Sequence, residues 1–184
     1  MATRELILDA AAKQFFEHGY AESSLQKIAE SVELRQSNLY YYFKTKHLLG
    51  LAVLDLWLQT TKGGLALLDK HPPGKQRLLA YIKWSNEQRE IYYTHGCPIA
   101  KLSSELRQEA SAEREELIES PYVSILDWLT EQFLSCGFEL REAKARGKFM
   151  LSLSQGTIHV GHVLADKTVF TAMHRLVSEW LDTE

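Results

Sequence analysis

Arg35, Gln36, Ser37, Asn38, Tyr40 and Tyr41 crowd one short stretch of the chain. Each can donate a hydrogen bond to a phosphate oxygen or to the edge of a base. Leu39 and Phe43, interleaved among them, are four apart and fall on one face of a helix. The polar side chains take the other face. No Asp or Glu occurs between Glu33 and Asp55, whereas Arg35, Lys44 and Lys46 all lie there. Just upstream, Ile28, Ala29 and Val32 recur at helical spacing, and Leu34 falls in the short break between the two segments. Two short helices around a tight turn, the second basic and free of acids, form the pattern of a helix-turn-helix whose second helix enters the major groove. The bland alternative is a helical hairpin with a solvated polar face.

The residue order narrows the choice. The run Asn38, Leu39, Tyr40, Tyr41, Tyr42, Phe43, Lys44 and Lys46 resembles the end of the DNA-binding motif in the TetR family of transcriptional regulators. The lead-in resembles it too, through Ile7, Leu8, Asp9, Ala10, Ala11, Phe15, Gly19, Tyr20, Ser23, Ser24, Leu25, Ile28 and Ala29. The resemblance implies an all-α fold. An N-terminal three-helix DNA-binding domain (residues 1–47) would precede a helical effector-binding and dimerisation domain (residues 48–184). It implies a homodimeric regulator, a repressor in the favoured reading, that holds a palindromic double-stranded operator and is released by a small-molecule effector. Arg35, Gln36, Ser37 and Asn38 would then face the bases. Tyr40, Tyr41 and Lys46 match phosphate-contacting positions, with Ser24 and Gln26 contributing from the helix before. Two positions depart from the family pattern. Glu33 stands where the turn usually has glycine, and Arg35 stands where a small capping residue is usual. Glu33 is therefore expected in a left-handed conformation that side chains adopt reluctantly.

The remaining elements must position that face. Thr3 to His18 reads as a helix with Leu8, Ala11, Ala12 and Phe15 as its core stripe, Thr3 as cap and Gly19 as its left-handed terminator. Ser23 with Gln26 fits a capping box for the next helix, with Ser24 the competing cap. A long helix should start at Thr45 and end near Leu68, with Gly63 and Gly64 bending or fraying its end. Pro72 and Pro73 break the chain. Helices follow over about 75–93, 99–106, 111–136 (kinked or divided at Pro121), 141–164 and 167–181. The total is about nine helices and no strand. The helix over 141–164 is apolar round much of its circumference, and Gly156 and Gly161 would let its own domain pack on one side and a second copy on the other.

Composition sets the bounds. The formal net charge is -3, so any attraction to nucleic acid must come from a local patch. Cys97 and Cys136 form neither a metal spacing nor a disulfide framework. No phosphate loop, dinucleotide fingerprint or nucleophile elbow is present, so no cofactor, metal or catalytic set is expected. A helical enzyme acting on an apolar substrate is the rival reading, without an organised nucleophile and base to carry it. No apolar leader or membrane-length run occurs, which points to the cytoplasm and to no membrane partner. His159 and His162, three apart on one helix, could meet a metal but have no third ligand fixed by spacing. The resemblance places Trp57, Trp84, Tyr92, Cys97 and Trp128 near a pocket for a small, largely apolar effector. For any one of these aromatic residues, ordinary core is the plainer reading. Cys97 could alternatively react with an electrophile, provided its thiol is exposed and acidified.

Overall fold

The computed structural model describes residues 3–109 and 115–183. The described residues form ten helices and no strand. In order they are α1 (Thr3–His18), α2 (Leu25–Ser31), α3 (Gln36–Tyr42), α4 (Lys46–Leu68), α5 (Lys75–Glu87), α6 (Arg89–His95), α7 (Pro98–Glu109), α8 (Glu115–Ser135), α9 (Leu140–Val163) and α10 (Thr168–Thr183). The helix expected over 75–93 is two helices meeting at Gln88, which accounts for the count being one above the expected nine.

The chain packs as two compact units, Met1–Gln59 with Pro98–Pro121, and Thr60–Cys97 with Tyr122–Glu184. By packing, then, residues 48–59 and 98–121 go with the N-terminal segment rather than with the rest. In the first unit Ile7, Ala11 and Phe15 of α1 are buried with Ile28, Leu39, Phe43 and Leu49. Ile7 holds the centre of the α1 stripe, and Leu8 and Ala12 flank it half-buried. The end of α7 clasps the α1–α2 turn. Tyr20 donates its hydroxyl to Glu109 at 2.9 Å, and the Ala21 N–H donates to Glu105 at 2.8 Å. Burial, then the Glu109 carboxylate, pushes the Tyr20 phenol above its usual range. Gly50 permits this approach, because a Cβ there would lie 2.8 Å from Leu106 and 3.0 Å from Tyr20.

In the second unit Leu78, Ile82, Leu129, Phe133, Met150 and Val177 form a core drawn from α5, α8, α9 and α10. Gln132 is buried and satisfied: its carbonyl accepts from the Gly74 N–H at 3.3 Å, and its amide donates to Trp128 O at 3.2 Å.

Several local expectations change. Gly63 and Gly64 lie inside α4, which continues to Leu68. Pro121 does not divide α8. A proline deprives the carbonyl four residues back of its donor, and here the Ser120 hydroxyl donates to Leu117 O at 2.9 Å instead. Residues 111–114, expected to open that helix, lie outside the described residues. Gly161 faces its own protomer and not a partner copy, since a Cβ there would lie 2.6 Å from Phe170 and 2.9 Å from Val169. Gly161→Val should therefore lower stability by about 1–3 kcal/mol through overpacking. Gly63→Ala, in a helix with nothing near the new methyl, should raise it by roughly 0.5–1 kcal/mol. Urea unfolding of both variants checks the contrast.

Candidate functional site

The site begins with a turn. The Leu34 N–H reaches back to Ala29 O at 2.9 Å, and Glu33 between them takes φ 56°, the left-handed conformation expected for it. Ser24 caps α2, accepting from the Lys27 N–H at 3.2 Å, so the competing cap is the one used. Ser23 instead donates to Gly19 O at 2.7 Å, and Gln26 donates along the helix to Glu30 at 2.8 Å. Arg35 caps α3 with its backbone alone, and no side chain satisfies the first N–H groups.

Leu39 and Phe43 are buried, and Arg35, Gln36, Ser37, Asn38, Tyr40 and Tyr41 are all exposed, so α3 is divided as its sequence divides it. Tyr41 is the most open of these aromatic groups, 75% exposed. Gln36 is loosely tied to Tyr40 at 3.4 Å. Lys46 is more committed than its sequence suggests: its ammonium donates to Ala21 O at 3.1 Å and lies 4.2 Å from the Tyr20 ring centre. Arg4, which sequence reasoning missed, stands with its guanidinium 5.2 Å from the centre of the Phe43 ring. A lone arginine in the first turn of a helix carries no signal of such a placement. Together these groups make an acid-free, donor-rich surface on a short helix, suited to an anionic groove.

In the second candidate group, Trp84 and Trp128 stand with their ring centres 6.4 and 6.0 Å from that of Tyr81. Trp57 packs on the core of the first unit. Trp84, Tyr92, Cys97 and Trp128 belong to the second. Trp128 is buried, and its indole N–H is given to Asp69 at 3.0 Å. Cys97 gathers a different set. Its sulfur lies 4.0 Å from the Tyr122 hydroxyl, which donates to Gln155 Oε1 at 3.1 Å. Burial pushes the Tyr81 phenol up to about 12, with Ser154 opposing and Cys97 adding to the shift. Burial, Cys97 and Tyr81 raise Tyr92 in the same way, and burial and Cys97 raise Tyr122. The cluster is thus Cys97 with three neutral phenols, Ser154 and Gln155. It offers hydrogen bonds alongside aromatic rings. Tyr122, Ser154 and Gln155 join Cys97 only by tertiary packing, so no spacing in the chain announces them. His162 is occupied, its Nδ1 donating to Tyr93 O at 2.9 Å. Among the described residues no group of three or more His, Cys, Asp or Glu could hold a metal ion.

A short helix pair around a tight turn, with the second helix turned outward and followed by an all-helical body, defines a helix-turn-helix protein. Residues 7–53 match the model for bacterial regulatory proteins of the tetR family. The chain is 31% identical over 109 residues to an uncharacterized HTH-type transcriptional regulator in the lacX 3′ region of Lactococcus lactis subsp. lactis, covering 56% of this chain and 55% of that one. It is 38% identical over 65 residues to the HTH-type transcriptional regulator RutR of Escherichia coli K12, covering 33% of this chain and 31% of RutR. The matched segment thus spans about half the length of the first relative and a third of the second. The fold matches over nearly the whole chain. A TetR transcriptional regulator from Legionella pneumophila superposes with a TM-score of 0.82 at 18% identity, covering 97% of each chain. The reduced form of E. coli NemR superposes with 0.80 at 19%, covering 97% of this chain and 96% of that one. Residues 7–53 thus match the tetR family, and the fold is that of solved TetR regulators over nearly the whole chain.

Glu33 gives the site a direct test. A left-handed L-residue costs about 1–2 kcal/mol, partly offset in a replacement by the roughly 0.5–1 kcal/mol entropic cost of glycine. Glu33→Gly should raise the thermal midpoint, and Glu33→Val should lower it, in paired calorimetric scans.

Proposed function

We propose that the protein is a cytoplasmic, homodimeric DNA-binding transcriptional repressor, released from a palindromic operator by a small molecule. The observation that carries this reading is the face of α3: exposed Arg35, Gln36, Ser37, Asn38, Tyr40 and Tyr41 on a helix anchored by buried Leu39 and Phe43. In this reading residues 1–47 do the reading, and residues 48–184 bind effector and dimerise. Arg35 to Asn38 meet base edges. Tyr40, Tyr41 and Lys46 meet phosphates, with Ser24 and Gln26 beside them. Among the described residues no helix is long and apolar enough to cross a membrane.

The dimer is supported by an exposed apolar stripe. Phe149, Val160 and Val163 of α9, its C-cap Leu164 and Leu176 of α10 are all between 41% and 66% exposed. On α9 the intervals between Phe149, Gly156, Val160 and Val163 keep them on one side of the helix, and Gly156 has open space before it. A twofold interface uses such a stripe twice. The effector is placed at the Cys97 and tyrosine cluster of the second unit, held by hydrogen bonds rather than by thiol chemistry.

Four measurements test the reading. Binding to an operator fragment should weaken linearly in log affinity with log salt. Asn38→Ala should relax preference at particular operator positions by roughly 1–3 kcal/mol, whereas Tyr41→Phe should weaken all sequences alike. Equal loss on specific and random DNA for Asn38→Ala removes its reading role. Val163→Glu should sediment as a monomer and lose tight operator binding, because two half-sites are no longer joined. A monomeric wild-type protein that still holds an inverted repeat tightly would sink the dimer. Cys97→Ser should still release operator on addition of the inducer. A variant that binds operator but no longer responds would make the thiol the sensor.

A further inference from the structure

A groove of about 550 Å³ lies in the second unit between the end of α4, α5 and α10. It is lined neither by Cys97 nor by Tyr81, Tyr92 or Tyr122. We propose that it binds an amphipathic organic anion, an aromatic or aliphatic carboxylate.

The volume falls in the usual range for small-molecule sites, about 300–1,000 Å³. The apolar lining is Leu68, Leu79, Ala80 and Trp84. Trp84 is preset for a flat ligand. Gly64 of α4 leaves room for its ring, since a Cβ there would lie 3.0 Å from the indole edge. The Tyr81 ring stands 6.4 Å away, centre to centre. A side chain already fixed by its neighbours loses little entropy when a ligand stacks on it.

The polar groups of the lining favour an anion. Lys83 contributes an ammonium, and His71 and His174 contribute imidazoles that can donate. Glu87 is the single carboxylate of the lining, and it stands 4.0 Å from Lys83, a loose exposed pair that an incoming carboxylate can displace. Arg77 is not available to compete: it donates to His71 O and Asp69 O and pairs with the Asp69 carboxylate at 2.8 Å. Metal binding is a poor rival, because no third ligand completes a cluster with the two imidazoles among the described residues. The groove is also separate from the proposed dimer stripe. On α10 the buried residues are Phe170, Met173, Val177 and Leu181. His174 and Ser178 flank that stripe on one side, and the exposed Leu176 flanks it on the other.

Three probes of one shape decide the matter by calorimetry on the full chain: 2-naphthoate, 2-naphthylmethanol and 2-naphthylmethylammonium. Naphthoate should bind several-fold more tightly than the alcohol, and the ammonium most weakly. Lys83→Gln, an exposed change, should weaken naphthoate by roughly 2–5-fold, the scale of an exposed ion pair, and leave the alcohol unchanged. Ala80→Trp should fill the groove and abolish binding of all three. If Ala80→Trp fails to fold, Lys83→Gln paired with His174→Gln still decides. Absence of heat from every probe at millimolar concentration overturns the proposal. So does equal or preferred binding of the alcohol or the ammonium, and so does naphthoate binding that these substitutions leave untouched.

Discussion

Burial of Leu39 and Phe43 is the interaction on which the reading surface depends. The α3 helix has only seven residues, too few to be stable alone. Nothing local compensates. Its cap residue offers no side-chain acceptor, and its first turn has no acidic residue to meet the helix dipole. The two buried side chains, each worth about 1.5–3 kcal/mol against exposure, must therefore hold the helix. Their cost in sequence is small, and it leaves the other positions to polar groups. An acid in the first turn would steady the helix but repel phosphate. The local weakness of α3 and its suitability for an anion share one origin.

What the sequence made legible follows from this. Helix existence and the two-faced pattern of α3 could be read because both depend on spacing along one helix. The left-handed Glu33 could be read because the motif that the stretch resembles usually has glycine at that position. The choice between Ser23 and Ser24 as cap could not, since both hydroxyls satisfy the same local rule and only the path of the chain from Gly19 separates them. The same limit appears at Pro121. A proline announces a break, but the neighbouring Ser120 hydroxyl takes over the carbonyl that the proline leaves without a donor, and spacing alone does not reveal that repair.

The cluster around Cys97 was the least legible part, for a physical reason. Large aromatic residues attract attention as pocket walls, yet burial gives them several possible uses. Trp128 spends its indole N–H on Asp69, and Trp57 fills core in the first unit. The hydrogen-bonding groups that do meet are brought together from α5, α6, α8 and α9. Burial raises their phenols further above the ordinary value, and no spacing rule links them. Composition could show that aromatic and polar groups were available in the C-terminal helices. It could not show which of them would meet.

The same packing sets how the chain is divided between the two units. The chain passes between them three times: inside α4 after Gln59, at Cys97 before Pro98, and inside α8 after Pro121. Two passages are continuous helix. The third leaves Cys97 and enters α7 at once, after Gly96 at φ 70°. The far end of α7 carries Glu105 and Glu109, which hold Ala21 and Tyr20 at the turn before α2. The α7 helix therefore starts next to Cys97 in the chain and ends on the turn before α2. If, as proposed, a ligand at Cys97 changes operator affinity, operator must alter ligand affinity by the same factor.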